Sequence, residues 1–200
     1  MGQGPESRAA RAAPLIAPGD LTTVPNLLSV ARIVGVSAAV LLYFAGHPLA
    51  TLSIGTVACL TDHLDGYLAR RLGQETVLGA MLDQAADSYT TAIALAMLVI
   101  AGGFPFAFLM VFLGREFWVG TVRRYAAARG VEIPSRTRGK VATAFIYWSL
   151  LVMAAGVMLE WPAPVGDVLR FVSTGGMVTG LALSWSAAWD YTKAVTGVRA

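Results

Sequence analysis

Long apolar runs alternate with short polar breaks along the chain after its first twenty residues. A helix that spans a membrane needs about 20 mostly apolar residues. With that length as the window, the pattern predicts six spanning helices, at approximately residues 27–45, 49–72, 77–101, 104–128, 141–159 and 168–189. The breaks contain glycine and proline, as at Gly46-His47-Pro48 and Gly102-Gly103, and these residues favour turns. We therefore predict an all-α integral membrane protein with six transmembrane helices.

The organisation along the chain is simple. Residues 1–20 are rich in Ala, Pro, Gly and Arg and predict a flexible cytoplasmic tail. Residues 21–193 form the predicted six-helix membrane domain, and residues 194–200 a cytoplasmic C-terminal tail. Only 14% of the 200 residues are charged and 56% are hydrophobic, whereas soluble domains carry roughly 25% charged residues. This composition excludes a disordered chain and a nucleic-acid binder, and the single cysteine, Cys59, excludes a disulfide framework and a cysteine-based zinc site.

The basic residues predict the orientation in the membrane. With six spans and the N-terminus inside, the outer turns hold only Arg170, whereas the inner segments hold nearly all other Lys and Arg residues. Cytoplasmic loops are enriched in these residues, so both termini should be cytoplasmic. We expect the protein to lie in a bacterial inner membrane.

Four aspartates lie within the second and third predicted spans, where charged side chains are costly and usually functional. Asp62 and Asp65 are three residues apart, and Asp83 and Asp87 are four apart, so each pair shares one helix face. A hairpin of these two helices would bring all four carboxylates together at the cytoplasmic side. Four carboxylates at close range need neutralisation, and their oxygens suit two Mg²⁺ or Mn²⁺ ions.

Small residues accompany the acids. Gly66 and Ala69 lie beside the first pair, and Gly79 lies one turn before Asp83. Alone, such residues usually indicate close helix packing. Beside four acids, they favour room for a bulky ligand, such as a nucleotide, against the helix backbone.

These residues together resemble a known signature. Eight specified positions at fixed spacing match that of the CDP-alcohol phosphotransferase family, namely Asp62-x-x-Asp65-Gly66-x-x-Ala69-Arg70, then eight residues, then Gly79-x-x-x-Asp83-x-x-x-Asp87. The resemblance implies a membrane transferase in which an alcohol attacks the β-phosphate of a CDP-linked donor and CMP is released. It also implies a cytoplasm-facing active-site cavity and a homodimer.

The resemblance assigns roles to the motif residues. Asp62, Asp65 and Asp83 would hold the two metal ions, with Asp87 at the metals and acting as base for the acceptor hydroxyl. The CDP site would be formed by Asp62, Asp65, Gly66, Ala69, Arg70 and Gly79. Direct in-line attack is the simplest reaction, with an adjacent carboxylate taking the alcohol proton.

Basic residues are the candidates for the acceptor side. Arg32 and Arg115 lie in or at the ends of apolar segments, where each needs an acid or a phosphate partner. For Arg115 the alternatives are an ion pair with the neighbouring Glu116 or extension of the side chain to the membrane interface. The loop 123–140 holds six basic residues against one acid, explained mostly by the positive-inside rule. A phosphorylated acceptor also needs a basic cluster, and the candidate contacts are Arg32, Arg115, Arg123, Arg136, Arg138 and Lys140.

The choice of acceptor rests on further resemblance. The segment from Thr23 to Arg32, the Gly114-Arg115-Glu116 run and the Arg138-Gly139-Lys140 run are similar to phosphatidylglycerophosphate and cardiolipin synthases. Three positions depart from the glycerophosphate pattern: Gln84 replaces a common Pro, Ser88 a common Lys or Arg, and Ala142 a second Lys.

We therefore predict metal-dependent transfer of a phosphatidyl group from CDP-diacylglycerol to glycerol 3-phosphate, giving phosphatidylglycerophosphate and CMP. The same chemistry with phosphatidylglycerol, as in cardiolipin synthesis, or with inositol phosphate stays open. A cation carrier that uses the four acids is a remote alternative, because the acids cluster at one side instead of following the depth of the bilayer.

Overall fold

The computed structural model describes residues 23–72, 77–130 and 137–197, and within them the side chains of all but residues 25, 59, 62–72 and 77. These residues form six helices and no strand: α1 (Val24–Phe44), α2 (Pro48–Leu72), α3 (Val77–Ile100), α4 (Phe106–Ala128), α5 (Thr137–Met158) and α6 (Ala163–Thr196). The predicted all-α class and the number of helices are confirmed for this part of the chain. The predicted tail at residues 1–20 lies outside the described residues, as do residues 198–200.

The last helix is longer than the apolar pattern predicts. α6 runs through 34 residues, beginning after Pro162 and ending before Gly197, which has a φ of +70°. The predicted span 168–189 stops short at both ends, because Asp167, Asp190 and Lys193 interrupt the apolar run without interrupting the helix. The extension matters because its last turns reach the candidate active site.

Glycines allow the chain to reverse direction between helices. Gly46 follows the end of α1 and Gly102 the end of α3, with φ of +80° and +73°. Residues with a Cβ atom rarely adopt this left-handed conformation, so glycine is favoured at both turns. The glycine-containing breaks predicted at these two positions are confirmed.

The helices pack most extensively as α5 against α6, with α1 packed against both α2 and α3. The core contains Leu95 and Leu98 of α3, Met153 of α5 and Met177 of α6, all essentially inaccessible to solvent. At the α5–α6 contact, a Cβ atom added to Gly180 would lie 2.8 Å from Ile146 Cγ1. Small residues let helix backbones approach closely, which explains the tight α5–α6 pair.

Polar side chains connect the helices. The hydroxyls of Ser37 (α1) and Tyr89 (α3) are 2.9 Å apart. Trp118 Nε1 donates to Thr192 Oγ1 at 2.9 Å, which joins α4 to α6. These two hydrogen bonds thus join side chains of different helices, and such bonds contribute to helix association in apolar surroundings.

Two of the described helices are long and apolar enough to cross a membrane by length and composition, Asn26–Phe44 in α1 and Thr137–Met158, which is α5. α3 carries Asp83 and Asp87 in its first half, and these charges lower its hydropathy. The six helices are therefore present, while six membrane spans stay a prediction.

Candidate active site

A large cavity of about 1310 Å³ opens between four helices. Among the described residues, its wall is formed by α3 from Ala80 to Thr91, α4 from Phe112 onward, the first half of α5 and the second half of α6, which therefore meet at one end of the bundle. The polar and charged lining residues are Asp83, Gln84, Asp87, Ser88, Thr91, Arg115, Glu116, Arg123, Lys140, Thr143, Tyr147, Ser184 and Tyr191. A cavity that combines acids and bases in this way suits a ligand that carries both a metal-bound group and a second anionic group.

Two aspartates of α3 form the acidic wall on that side of the cavity. Asp83 and Asp87 are four residues apart on α3, so the helix places them on the same face, one turn apart. Their side chains are 46% and 36% exposed, and both line the cavity. The structure thus gives these two motif residues access to a bound ligand.

A buried arginine lies against the two carboxylates. Arg32 of α1 is only 3% exposed. Its Nη1 atom pairs with Asp87 Oδ1, and its Nη2 atom is 3.6 Å from Asp83 Oδ1. The sequence left open whether Arg32 pairs with an acid or with a phosphate. In the structure, Arg32 pairs with the acids Asp83 and Asp87. Arg32 is not among the residues that line the cavity.

Basic side chains form another part of the wall. Arg123 of α4 and Lys140 of α5 both line the cavity. The Arg123 guanidinium lies over the ring of Tyr191, with Cζ 5.6 Å from the ring centroid. Tyr191 belongs to the extended end of α6 and is 3% exposed. The aromatic ring therefore supports a cation that faces the cavity.

A hydrogen bond connects α3 to α4 within the cavity wall, beside an ion pair within α4. Arg115 pairs with the adjacent Glu116 through Nη1 and Oε1. Ser88 Oγ donates a hydrogen bond to Glu116 Oε2 at 2.5 Å. The ion pair that the sequence offered as an alternative for Arg115 is therefore formed, and a phosphate contact by Arg115 would add to it or compete with it.

The remaining predicted site residues either lie away from the cavity lining or fall outside the described residues. Arg138 is 3.6 Å from Asp190 through Nη1 and Oδ2, has a side chain 68% exposed, and is not among the residues lining the cavity. Gly79 lies in the first turn of α3. Arg136 lies outside the described residues, and so do the side chains of Asp62, Asp65, Gly66, Ala69 and Arg70, whose backbone belongs to α2.

The chemistry of the donors fits a divalent metal. Asp83 and Asp87 supply carboxylate oxygens at the cavity surface, and hard ions such as Mg²⁺ and Mn²⁺ prefer oxygen ligands. Among the residues whose side chains are described, no group of three or more His, Cys, Asp or Glu is close enough to hold an ion. The described carboxylates thus fit half of the predicted four-aspartate set.

The comparison with known families decides the classification. The family model for CDP-alcohol phosphatidyltransferase matches residues 22–185, which include α1 to α5 and most of α6. The chain belongs to this family. The resemblance read from the eight motif positions is confirmed, and membership favours the predicted transferase over the cation carrier.

Curated relatives in the family cover most of the chain. The CDP-diacylglycerol–glycerol-3-phosphate 3-phosphatidyltransferase of Pseudomonas fluorescens is 31% identical over 180 residues, covering 85% of this chain and 92% of the relative. The enzyme of the same name from Cereibacter sphaeroides is 31% identical over 206 residues, covering 84% and 93%. A cardiolipin synthase (CMP-forming) of Oryza sativa subsp. japonica is 28% identical over 200 residues, covering 88% and 60%.

Glu116 and Tyr191, the lining residues that contact Arg115 and Arg123, were not among the predicted site residues of this family member. The sequence indicated Glu116 only as a partner of Arg115 and did not single out Tyr191. Tyr191 follows Asp190, just after the apolar run ends, so it fell outside the predicted span 168–189. The helix nevertheless continues through this position. Glu116 lies about three turns into α4, and its hydrogen bond from Ser88 is a contact that no sequence spacing predicts.

Proposed function

We propose that this chain transfers a phosphatidyl group from CDP-diacylglycerol to glycerol 3-phosphate, giving phosphatidylglycerophosphate and CMP. Family membership supports the CDP-linked donor, and the enzyme names of the Pseudomonas and Cereibacter relatives support the acceptor. The observation that carries the proposal is the cavity lined at once by Asp83 and Asp87 and by Arg123 and Lys140.

The acids would hold the metal ions of the reaction. Asp83 and Asp87, together with Asp62 and Asp65 of the same motif, would bind two Mg²⁺ or Mn²⁺ ions. Ions held by these carboxylates would supply positive charge that offsets the negative charge of the pyrophosphate and of the CMP leaving group. Carboxylate oxygens at the cavity surface support this assignment.

Asp87 is the proposed base. The acceptor hydroxyl oxygen forms a bond to the β-phosphorus of the donor, while the bond from that phosphorus to the bridging oxygen breaks and CMP leaves with the bridging oxygen. Asp87 takes the hydroxyl proton in the transition state and passes it to solvent afterwards. The Asp87 side chain lines the cavity and is partly exposed to it, while Arg32 pairs with one of its oxygens; this exposure supports the role.

The basic wall is the proposed contact for the acceptor phosphate. Arg123 and Lys140 carry positive charge on the cavity surface, and arginine binds phosphate with two parallel hydrogen bonds. Arg115 is next to them but is paired with Glu116. We therefore assign the phosphate first to Arg123 and Lys140, and keep Arg115, Arg136 and Arg138 as weaker candidates.

Cardiolipin synthesis is the second candidate function. The rice relative is named as a CMP-forming cardiolipin synthase, and two of the three departures from the glycerophosphate pattern, Gln84 and Ser88, lie in the cavity wall. The third, Ala142, is 1% exposed and not among the lining residues. The α3 side of the cavity wall therefore differs from the glycerophosphate pattern at two positions. For this reason, phosphatidylglycerol and inositol phosphate are included in the same test.

The setting of the reaction is part of the proposal. We infer six transmembrane helices in a bacterial inner membrane, both termini in the cytoplasm, a cavity open to the cytoplasm and a homodimer. The clustering of Arg123 and Lys140 with the acids at one end of the bundle supports the orientation, because positive charges mark the cytoplasmic side.

An acceptor screen tests the function. Purified protein receives CDP-diacylglycerol with Mg²⁺ or Mn²⁺ and, in separate reactions, glycerol 3-phosphate, phosphatidylglycerol, inositol phosphate or serine. CMP and the lipid product are measured, with a chelator as the control for metal dependence. We expect CMP and phosphatidylglycerophosphate only with glycerol 3-phosphate and metal. Turnover with phosphatidylglycerol alone would replace the first candidate by the second.

A further inference from the structure

The buried side of α1 changes from polar to apolar along the helix. Asn26, Ser29, Arg32, Val36 and Ala39 are each at most 5% exposed and recur every three or four residues, so they form one stripe. The polar half of the stripe lies at the end of the bundle that holds the cavity, because Arg32 contacts Asp83 and Asp87. A buried arginine is expensive unless it is paired, so this position indicates a specific task.

One guanidinium serves two carboxylates. Arg32 uses Nη1 for Asp87 and Nη2 for Asp83, and both contacts reach the Oδ1 atom of the carboxylate. The rigid planar fork of arginine presents several donors in fixed directions, which a lysine ammonium cannot reproduce. The guanidinium therefore restrains two side chains that are one helical turn apart, by a hydrogen-bonded ion pair with Asp87 and a longer ion pair, at 3.6 Å, with Asp83.

Arg32 lies behind the carboxylates as seen from the cavity. The Arg32 side chain is 1% exposed, whereas those of Asp83 and Asp87 are 46% and 36% exposed. Asp83 and Asp87 line the cavity and Arg32 does not. An acceptor phosphate in the cavity would therefore meet the carboxylates or the Arg123 and Lys140 side chains, and not the Arg32 guanidinium.

We propose that Arg32 is a positioning residue that holds Asp83 and Asp87 in the orientation in which they bind divalent ions, and that it makes no contact with the acceptor phosphate. The inference rests on the proposed function only in taking these aspartates as metal ligands. Partners that orient metal ligands are needed for affinity, and their loss costs about 10- to 100-fold in metal affinity or activity.

Manganese binding gives a test that needs no turnover. The full-length protein in detergent is titrated with Mn²⁺ in the absence of any lipid or acceptor, and free Mn²⁺ is read by its electron paramagnetic resonance signal. We expect Arg32→Met to weaken Mn²⁺ binding about tenfold or more and Arg32→Lys to weaken it less. Arg170→Met, the same change at an exposed residue in the early part of α6, should bind Mn²⁺ like the unaltered chain.

The kinetic pattern separates positioning from phosphate contact. With CDP-diacylglycerol and glycerol 3-phosphate, Arg32→Met should lower kcat while the KM for glycerol 3-phosphate changes less than about threefold. Unchanged Mn²⁺ affinity in Arg32→Met would overturn the inference, and so would a large rise in this KM with kcat preserved.

Folding and function are controlled separately. Size-exclusion chromatography and thermal unfolding establish that each variant is folded, and if Arg32→Met is not, Arg32→Lys decides the question by the same titration. An unaltered chain that binds Mn²⁺ but turns over no acceptor contradicts the proposed function and leaves the comparison of Mn²⁺ affinities intact. An unaltered chain that binds no Mn²⁺ overturns the inference about Arg32.

Discussion

Ser88 of α3 donates a hydrogen bond to Glu116 of α4, with 2.5 Å between Ser88 Oγ and Glu116 Oε2. The other carboxylate oxygen of Glu116 pairs with Arg115. Ser88 follows Asp87 directly, so the bond connects the helix of the carboxylates to the helix of the basic wall. The glycerophosphate pattern commonly has a basic residue at position 88. Here a serine occupies the position, and its hydroxyl orients the Glu116 carboxylate.

Replacing Ser88 tests this connection. Ser88→Ala leaves the Arg115–Glu116 pair in place and removes one hydrogen bond, so we expect the free energy of unfolding to fall by about 1 kcal/mol. Glu116→Ala should cost more, because Arg115 then loses its carboxylate. Denaturant unfolding in detergent measures both, and Ser53→Ala is the matched control, since exposed Ser53 donates its hydrogen bond to the Leu49 carbonyl of its own helix. A loss for Ser88→Ala no larger than for Ser53→Ala would contradict the connecting role.

The proposed base gives the largest expected effect on catalysis. Asp87→Asn keeps the size of the side chain but removes the carboxylate that accepts the proton, so kcat for CMP release should fall about 10²- to 10⁴-fold. Asp83→Ala should abolish CMP release by removing a metal ligand. Asp167→Asn, an exposed acid in the first turns of α6, should leave CMP release unchanged. CMP release by Asp87→Asn within tenfold of the unaltered chain would exclude Asp87 as the base.

Replacing Tyr191 should change the KM for the acceptor and leave the KM for the donor unchanged. Its ring lies beneath the Arg123 guanidinium, 5.6 Å from Cζ to the centroid, and such a contact is worth about 0.5 to 1 kcal/mol. Tyr191→Leu removes the ring, so the KM for glycerol 3-phosphate should rise about two- to fivefold with the KM for CDP-diacylglycerol unchanged. Tyr191→Phe keeps the ring and should behave like the unaltered chain. An equal rise for Phe and Leu would instead implicate the hydroxyl.

The sequence predicted the helices well because their main signal, a long apolar run ended by glycine and proline, is local. It was less accurate for α6, where the helix continues through Asp190 and Lys193 after the apolar run has ended. The helix continues there because its buried face, with Ala187, Ala188 and Tyr191, still packs against the other helices.

The site was predictable as far as the residues follow a helical repeat. Asp83 and Asp87 share a face by their spacing alone, and both reach the cavity. The contact between Arg32 and Asp87 joins residues 55 positions apart, so no local spacing predicts it. The same holds for Ser88 and Glu116, which belong to different helices. Sequence indicated that Arg32 needed an anionic partner, but only the packing of α1 against α3 identifies which one.

The close approach of α5 and α6 makes a final prediction about stability. A Cβ atom at Gly180 would lie 2.8 Å from Ile146 Cγ1 and 3.1 Å from the Ile146 backbone nitrogen, whereas one at Gly175 would have nothing within 4 Å. Because backbone cannot move aside as a flexible side chain can, Gly180→Ala should destabilise the protein by about 1 to 3 kcal/mol. Gly175→Ala, on the same helix, should be neutral or slightly stabilising, since alanine favours the helix over glycine. Thermal unfolding of the two variants checks the difference, and equal melting temperatures would mean that the two helices can separate enough to accept the extra methyl group.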